Sequence, residues 1–408
     1  MVDVDATLVI RSGLLVDGRG GKPLEKALVA AAGKRLLYVG PESGAPAFRS
    51  ARTLDLPGAC LLPGLVDMHV HATFYWRESD FPPDLTARGV GSCYTPPLIA
   101  LLAAKNLNET LMNGATTVRD TGCVDEIMFD VKRGLHRGLF AGSKVYVSGP
   151  LIVPTGGHAH GFPGLVREAD GPIGFRKAVR QNVRAGADFI KLANDGQDLT
   201  QEELNAAVEE ARRWGKKTAQ HTGGPPALRM AIEAGVDTFE HQPPTGEEAD
   251  RAAAQGMTWV PTLHSYHEYL NLFDDRRRHR QPEFAEQAEQ DYSAFAGSVE
   301  QAHAGIGIAL RAGLRIATGT DSWMPGVPFA AIANEICWLA SSGCTAMQAI
   351  QAATASAAEA MGWNDIGTLE AGKAADVIAV PGDPLRDVSL IRQVMLVVCD
   401  GKVVKEPT

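Results

Sequence analysis

Apolar and polar positions follow two rhythms along the chain, and the change between them divides it into three parts. Residues 7–60 carry short runs with strand-like alternation, "TLVIRSGLLVDGRG", "KALVAAAGKRLLYVG" and "ARTLDLPGACLL", cut by Gly and Pro turns. Residues 366–405 repeat that style in "ADVIAVPG" and "VMLVVCDGKVVK", where Asp400-Gly401 marks a hairpin. Each end alone is only a fragment of sheet. The pattern therefore predicts that both ends fold together into one β-rich domain.

The middle alternates strand and helix. "ADFIKLAND" reads as a strand and leads into the helix "TQEELNAAVEEARRWG", which Thr200 and Glu203 open as a capping box. Leu204, Ala207, Val208, Ala211 and Trp214 fall on one helical face, and Gly215 stands where a helix-ending glycine belongs. "KKTAQH", "VDTFEH" and "MTWVPTL" are further strands. The helix "PPALRMAIEAG" and another running from Thr245 and Glu248 to Gly256 separate them. With "ATTVRD", "SKVYVSG", "LRIATGTD" and the strand after Pro63, eight strands fit in about 260 residues. That favours a (β/α)8 barrel over an open doubly wound sheet, although strand order is not visible in the sequence. The insert "HSYHEYLNLFDDRRRHRQPEFAEQ" follows the seventh strand, and its run Arg276, Arg277, Arg278, His279, Arg280 reads as a solvated helix face.

At 408 residues and 45% apolar composition the chain can bury a large core. A net charge of −9 argues against non-specific nucleic-acid binding. The start "MVDVDATLVIRSG" lacks the form of a signal peptide, and no apolar run approaches the ~20 residues of a membrane span. Six scattered cysteines without a Cys-x-x-Cys pair fit a reduced, cytoplasmic protein.

In a barrel the reactive groups project from the carboxyl ends of the strands. There the sequence places His69 and His71 on strand one, Lys191 on strand four, His221 on strand five, His241 on strand six and Asp321 on strand eight. Residues two apart share a strand face, so His69 and His71 can reach one ion. Singly each has a plainer explanation: a hydrogen-bonded strand-end histidine, a snorkelling lysine, an aspartate capping the next helix. Six such residues, always at a strand's carboxyl end, make a metal site the better account. Histidines with an aspartate suit Zn²⁺ or a similar borderline divalent ion. An ammonium cannot ligate, but burial beside Phe189, Ile190 and Leu192 favours a neutral amine, which can take up CO₂ as a carbamate able to bridge two cations.

The set "GLVDMHVH", "FIKLA", "TAQH", "TFEH" and "TGTDS", with "GTLEAGKAADVIAV" near the end, resembles the amidohydrolase superfamily over nearly the whole chain. Within it the chain looks closest to the imidazolonepropionase-like and prolidase-like branch. The resemblance implies a distorted (β/α)8 TIM barrel at residues 63–365 and a small β-sandwich domain from residues 1–62 and 366–408. It also implies two divalent metal ions and a homo-oligomer. His69 and His71 match the first-ion pair, Lys191 the carboxylated bridging lysine, and His221 and His241 the second-ion pair. Asp321 matches the aspartate that binds the first ion and shuttles the proton. Two cations sharing a water would yield hydroxide near neutral pH, so no serine or cysteine nucleophile is needed, and there is no Gly-x-Ser-x-Gly elbow.

Specificity is expected in the loops after the strands. Phe74, Tyr75 and Trp76 suggest an apolar wall, and Arg77 a carboxylate partner. His158 and His160 in "VPTGGHAHGFPG" are candidates for the substrate carbonyl or carboxylate, or are loop histidines bonding backbone. Tyr266 is a candidate donor to an oxyanion, and Trp323 and Met324 are candidate pocket walls. "QHTGG" and "EHQPP" depart from the usual form, in which a small residue follows the fifth-strand histidine and a glycine the sixth-strand one. The expected activity is hydrolysis of a dipeptide of Xaa-Pro type or an N-acyl amino acid. Alternatives are a cyclic amide, or an aryl amide, carbamate or urea. More remote is a non-catalytic scaffold.

Overall fold

The structure, a computed structural model, describes residues 4–74, 95–162, 164–196, 198–279, 285–323 and 329–407. Tyr75, Trp76, Arg77, Arg280 and Met324 lie outside them. Eight strands fall where the apolar runs place them: β1 (Leu65–Val70), β2 (Ala115–Asp120), β3 (Lys144–Val147), β4 (Ile190–Asn194), β5 (Thr218–Thr222), β6 (Thr238–His241), β7 (Thr258–Val260) and β8 (Arg315–Ile316). Every residue of β1, β2 and β4 is buried, as strands covered on both faces require.

All pairings among these strands are parallel. β1, β2 and β3 form one sheet, and β4 to β8 pair in order in a second that also takes in Leu151–Val153 and Val166–Glu168. The run from β3 to Leu151–Val153 is interrupted at Ser148, Gly149 and Pro150, where a proline without an N–H cannot continue a ladder. Beyond β8 the backbone returns to β1: Met68 N donates to Thr318 O at 2.9 Å, and Asp321 N to His69 O at 2.8 Å. These bonds set Asp321 beside His69.

Helix starts follow the local chemistry. Thr200 with Glu203 and Thr245 with Glu248 form complete capping boxes. Leu204, Ala207, Val208 and Ala211 are buried, but Trp214 is 53% exposed. It is the C-cap residue, past the last helical turn, and its indole N–H donates to Glu210. The insert forms the helices Leu263–His279 and Ala285–Ala312, joined by the rings of Tyr266, Tyr269 and Phe273 around Phe295. Arg277 pairs with Asp274 and Glu289, and Arg278 with Asp274, so these two belong to a solvated helix face.

The two ends meet in one seven-stranded sheet. Its order is Lys402–Lys405, Leu396–Cys399, Val377–Pro381, Thr53–Pro63, Leu8–Leu15, Leu24–Ala32 and Arg35–Pro41. Val377–Pro381 pairs antiparallel with Thr53–Pro63 and so joins the two ends. A short parallel pair, Val4–Ala6 with Phe48–Ser50, lies apart from that ladder. From Pro63 the chain enters β1 through Gly64, where a Cβ would fall 2.2 Å from the Thr116 hydroxyl, so glycine permits the close crossing. Among the described residues no helix is long and apolar enough to cross a membrane, and the five described cysteines are free.

Candidate metal centre

The strands and the turns that follow them bring the six predicted residues into one cavity of about 180 Å³, although Lys191 is the second residue of β4 rather than its last and Asp321 lies beyond the end of β8. His69 Nε2 and His71 Nε2 lie 3.3 Å apart, and Asp321 Oδ1 lies 3.3 Å from the first and 3.5 Å from the second. His71 Nδ1 is 2.9 Å from the Gly122 carbonyl, which can only accept, so that nitrogen carries the hydrogen and Nε2 keeps its lone pair. His241 is set the same way. The Thr262 hydroxyl donates to Pro261 O at 2.7 Å and accepts from His241 Nδ1 at 2.8 Å, leaving Nε2 as the free donor atom.

Burial is the first cause that holds His69, His221 and His241 in the neutral form that can ligate a cation. It drives His69 and His241 well below the usual histidine range and His221 down to about 3. The backbone is strained at the same point. His241, Thr262 and Asp321 have φ of 70°, 54° and 53°, a region non-glycine residues seldom occupy.

Asp67 straps the site together. Its carboxylate accepts from His69 N and Thr320 N at 3.1 and 3.0 Å and from the Thr320 hydroxyl at 2.7 Å, tying β1 to the segment that carries Asp321. Ser265 Oγ donates to Asp321 Oδ2 at 3.1 Å. Beneath lies a fully buried ionic group. Arg119 donates to Glu240 Oε1 at 2.7 Å, to Met68 O at 2.6 Å and to Thr238 Oγ1 at 3.0 Å. The other Glu240 oxygen faces His69 Nδ1 at 3.4 Å and abuts Lys191 Nζ.

These residues fit a cation site. His69 Nδ1, Lys191 Nζ and Glu240 Oε2 are buried without a completed hydrogen bond, a costly arrangement for polar atoms. Donor atoms of His69, His241 and Asp321 converge within 4.8 Å, and so do those of His158, Asp195 and His221. The His221 and His241 rings are 4.5 Å apart, which links the two groups.

Around the candidate ligands the cavity is apolar and aromatic. Phe74, Phe162 and Trp323 meet edge to face at 5.7 to 6.4 Å, with Leu151 and Leu165 beside them. His158 lines the cavity; His160 does not, its Nδ1 lying 3.0 Å from Gly157 O in an outer depression. Tyr266 also lies outside the lining, packed on Phe295, and Tyr269 lines the cavity in its place, bonded to Trp323.

Over residues 60–404 the sequence matches the amidohydrolase family model. The chain belongs to the amidohydrolase family. Among its relatives, the ochratoxinase of Aspergillus niger is 30% identical over 428 residues, covering 94% of this chain and 83% of that one. A solved Xaa-Pro dipeptidase with bound methionine is 28% identical, with a TM-score of 0.82, covering 98% of this chain and 99% of that one. An imidazolonepropionase from Rhizorhabdus wittichii is 26% identical over 275 residues, covering 60% of this chain and 67% of that one. This amidohydrolase is thus an enzyme acting on carbon–nitrogen bonds, in a family that is typically metal-dependent.

Asp195, Glu240, Thr262, Ser265 and Tyr269 join the site without having been singled out from the sequence. Asp195 directly follows β4 and carries the same strand-end signal as the candidate ligands. Glu240 does not. As a neighbour of His241 it should face the other way along a regular strand, but the positive φ at His241 breaks the alternation and both point inward.

Proposed function

We propose that this amidohydrolase is a binuclear metal-dependent enzyme that releases an amino acid from an N-acyl amino acid or dipeptide whose acyl part is bulky and apolar. The observation that carries the reading is the aromatic cluster of Phe74, Phe162 and Trp323 set against the convergent ligands. Likeness to ochratoxinase and to the Xaa-Pro dipeptidase supports a scissile amide.

His69, His71 and Asp321 would hold one divalent ion and His221 and His241 the other, zinc being the ion this donor set suits. Lys191, carboxylated, would lie between them, a role supported by its burial in the cavity that these histidines line. When bound, such ions polarise a carbonyl and activate water. The chain supplies the rest. Asp321, oriented by Ser265, takes the proton from the attacking water and returns it to the leaving amine. The aromatic wall excludes bulk water and grips the acyl group. The same reading divides the chain into residues 63–365, a closed distorted (β/α)8 barrel, and residues 1–62 with 366–408, a β-sandwich. Closure is supported by the bonds from Thr318 and Asp321 back to β1.

A second reading, hydrolysis of a neutral aryl amide, is favoured by the charges. Among the described lining residues Lys191 is the one lysine or arginine, and it lies with the ligands rather than at the mouth. A panel of N-acyl phenylalanines, Xaa-Pro dipeptides and neutral anilides decides between them. Free amino acid should appear from the first two classes. Turnover confined to anilides would overturn the peptidase-like reading.

Thr262→Val keeps the side-chain shape but removes the acceptor for His241 Nδ1. It is expected to weaken divalent-ion binding by roughly 10- to 100-fold, measured by competition with a chromophoric chelator. Unchanged affinity would show that the hydroxyl does not orient His241.

A further inference from the structure

One carboxylate beside the cavity, in the outer depression that also holds His160, has no part in the scheme above. Asp195 Oδ1 lies 2.9 Å from His158 Nδ1 and 3.2 Å from His221 Nε2. The two imidazoles stack, with centroids 3.9 Å apart and planes inclined by 28°. A single oxygen therefore serves two rings, one from the loop that carries His158 and one from strand β5, that already pack face to face.

The segment carrying Asp195 is held from several sides. Gly223 N donates to Asn194 O at 2.9 Å, Gly196 N to Asn194 Oδ1 at 2.7 Å, and Asp195 N to Asp198 Oδ1 at 3.0 Å. The end of β5 presses directly on it: a Cβ at Gly223 would fall 2.8 Å from Asp195 Cα and 2.7 Å from its Oδ1. Glycine at 223 is thus what allows the carboxylate to sit over His221.

An ionised carboxylate only accepts, so each nitrogen facing it must carry the hydrogen. His158 is then protonated on Nδ1 and His221 on Nε2. The lone pair of His221 is left on Nδ1, and the other nitrogen of His158, Nε2, is left for contact within the cavity.

We propose that Asp195 is a positioning residue that orients two imidazoles at once, His221 for the cation it would hold and His158 for the substrate. The assignment rests on the binuclear reading above for the role of His221, and on the geometry alone for the tautomers. It makes the two functions interdependent, because a change at Asp195 disturbs ion binding and substrate binding together, while a change at His158 disturbs only the second.

The test uses the full-length protein with Asp195→Ala, Asp195→Asn, His158→Ala and the Asp195→Ala/His158→Ala double variant. Zinc titration of Asp195→Ala should show one equivalent weakened by roughly 10- to 100-fold and the other unchanged. Its KM should rise, as should that of His158→Ala, whose zinc binding stays as in the parent. The double variant should raise KM no further than the larger single change, since Asp195 reaches substrate through His158. Asp195→Asn, which keeps an acceptor oxygen and serves if the alanine variant does not fold, should recover part of both losses.

Nitrogen-15 spectra of the metal-free protein give a readout independent of activity. His158 should appear as the Nδ1–H form and His221 as the Nε2–H form, and both should revert to mixtures in Asp195→Ala. Unchanged tautomers, or parental zinc binding and KM in that variant, would overturn the proposal while leaving the binuclear reading intact. A third zinc equivalent that disappears with Asp195 would also overturn it, by making the carboxylate a ligand. A parent protein that binds no zinc, yet shows the tautomer change, would instead overturn the binuclear reading.

Discussion

Lys191→Ala is expected to lower amide hydrolysis by roughly a thousandfold or more and to cost the protein at least one bound divalent ion. The reason lies in how the side chain is housed. Lys191 is 1% exposed, on β4, with Arg119 close enough to oppose a second positive charge. Burial first and Arg119 second hold its amine well below the usual lysine range, which favours the neutral form. A neutral amine can add CO₂: the nitrogen lone pair forms a bond to carbon, the nitrogen loses a proton to solvent, and the product is a carbamate whose single negative charge is shared over two oxygens. Loss of that group would take away charge that the two proposed cations need. A loss of several kcal/mol in charge stabilisation, at about 1.4 kcal/mol per decade, gives the stated factor.

Four measurements check this. Metal content should fall in the variant, and turnover should fall with it. The intact parent protein, weighed under mild conditions, should be heavier by one CO₂ and lose that mass in acid. Acetate or propionate, small enough for the space left by the lysine side chain, should restore part of the activity of Lys191→Ala. A variant that keeps both ions and its turnover would show that the lysine bridges nothing.

The contrast between what the sequence revealed and what it hid has a physical cause. The strands were legible because two-sided burial leaves continuous apolar runs, and the helix starts because Thr200 with Glu203 and Thr245 with Glu248 spell their caps locally. The six candidate ligands could be picked out together because a parallel α/β arrangement delivers strand ends to one place, so position along a strand stands in for position in space. Residues whose role depends on a partner far along the chain had no such proxy. Glu240 finds Arg119 across the strands, and Ser265 finds Asp321 from the first turn of a helix. Tyr266 and Tyr269 are three residues apart on the helix Leu263–His279, so they share nearly one face and both pack on Phe295. What separates them is position along the helix axis relative to the cavity, which the apolar pattern does not report.

Asp321→Asn should lower kcat by roughly 10²- to 10⁴-fold with little change in KM, the range for loss of a positioned proton carrier. Asparagine is the informative replacement. The residue sits at φ 53°, where asparagine is tolerated far better than alanine or a branched side chain. Its backbone is fixed independently of the carboxylate, by the bond from Asp321 N to His69 O and by Asp67 gripping Thr320. The amide can still accept from Ser265 through one oxygen, so orientation survives while proton affinity does not. Thermal unfolding should therefore match the parent within a few degrees, and a substrate-like inhibitor should bind with similar affinity. If turnover persists in a variant of parental stability, the proton is carried by another group, and the aspartate serves only to complete the cluster with His69 and His71. If instead affinity for divalent ions falls in parallel with kcat, Asp321 contributes mainly as a ligand, and the proton-transfer role would have to be tested with both sites saturated.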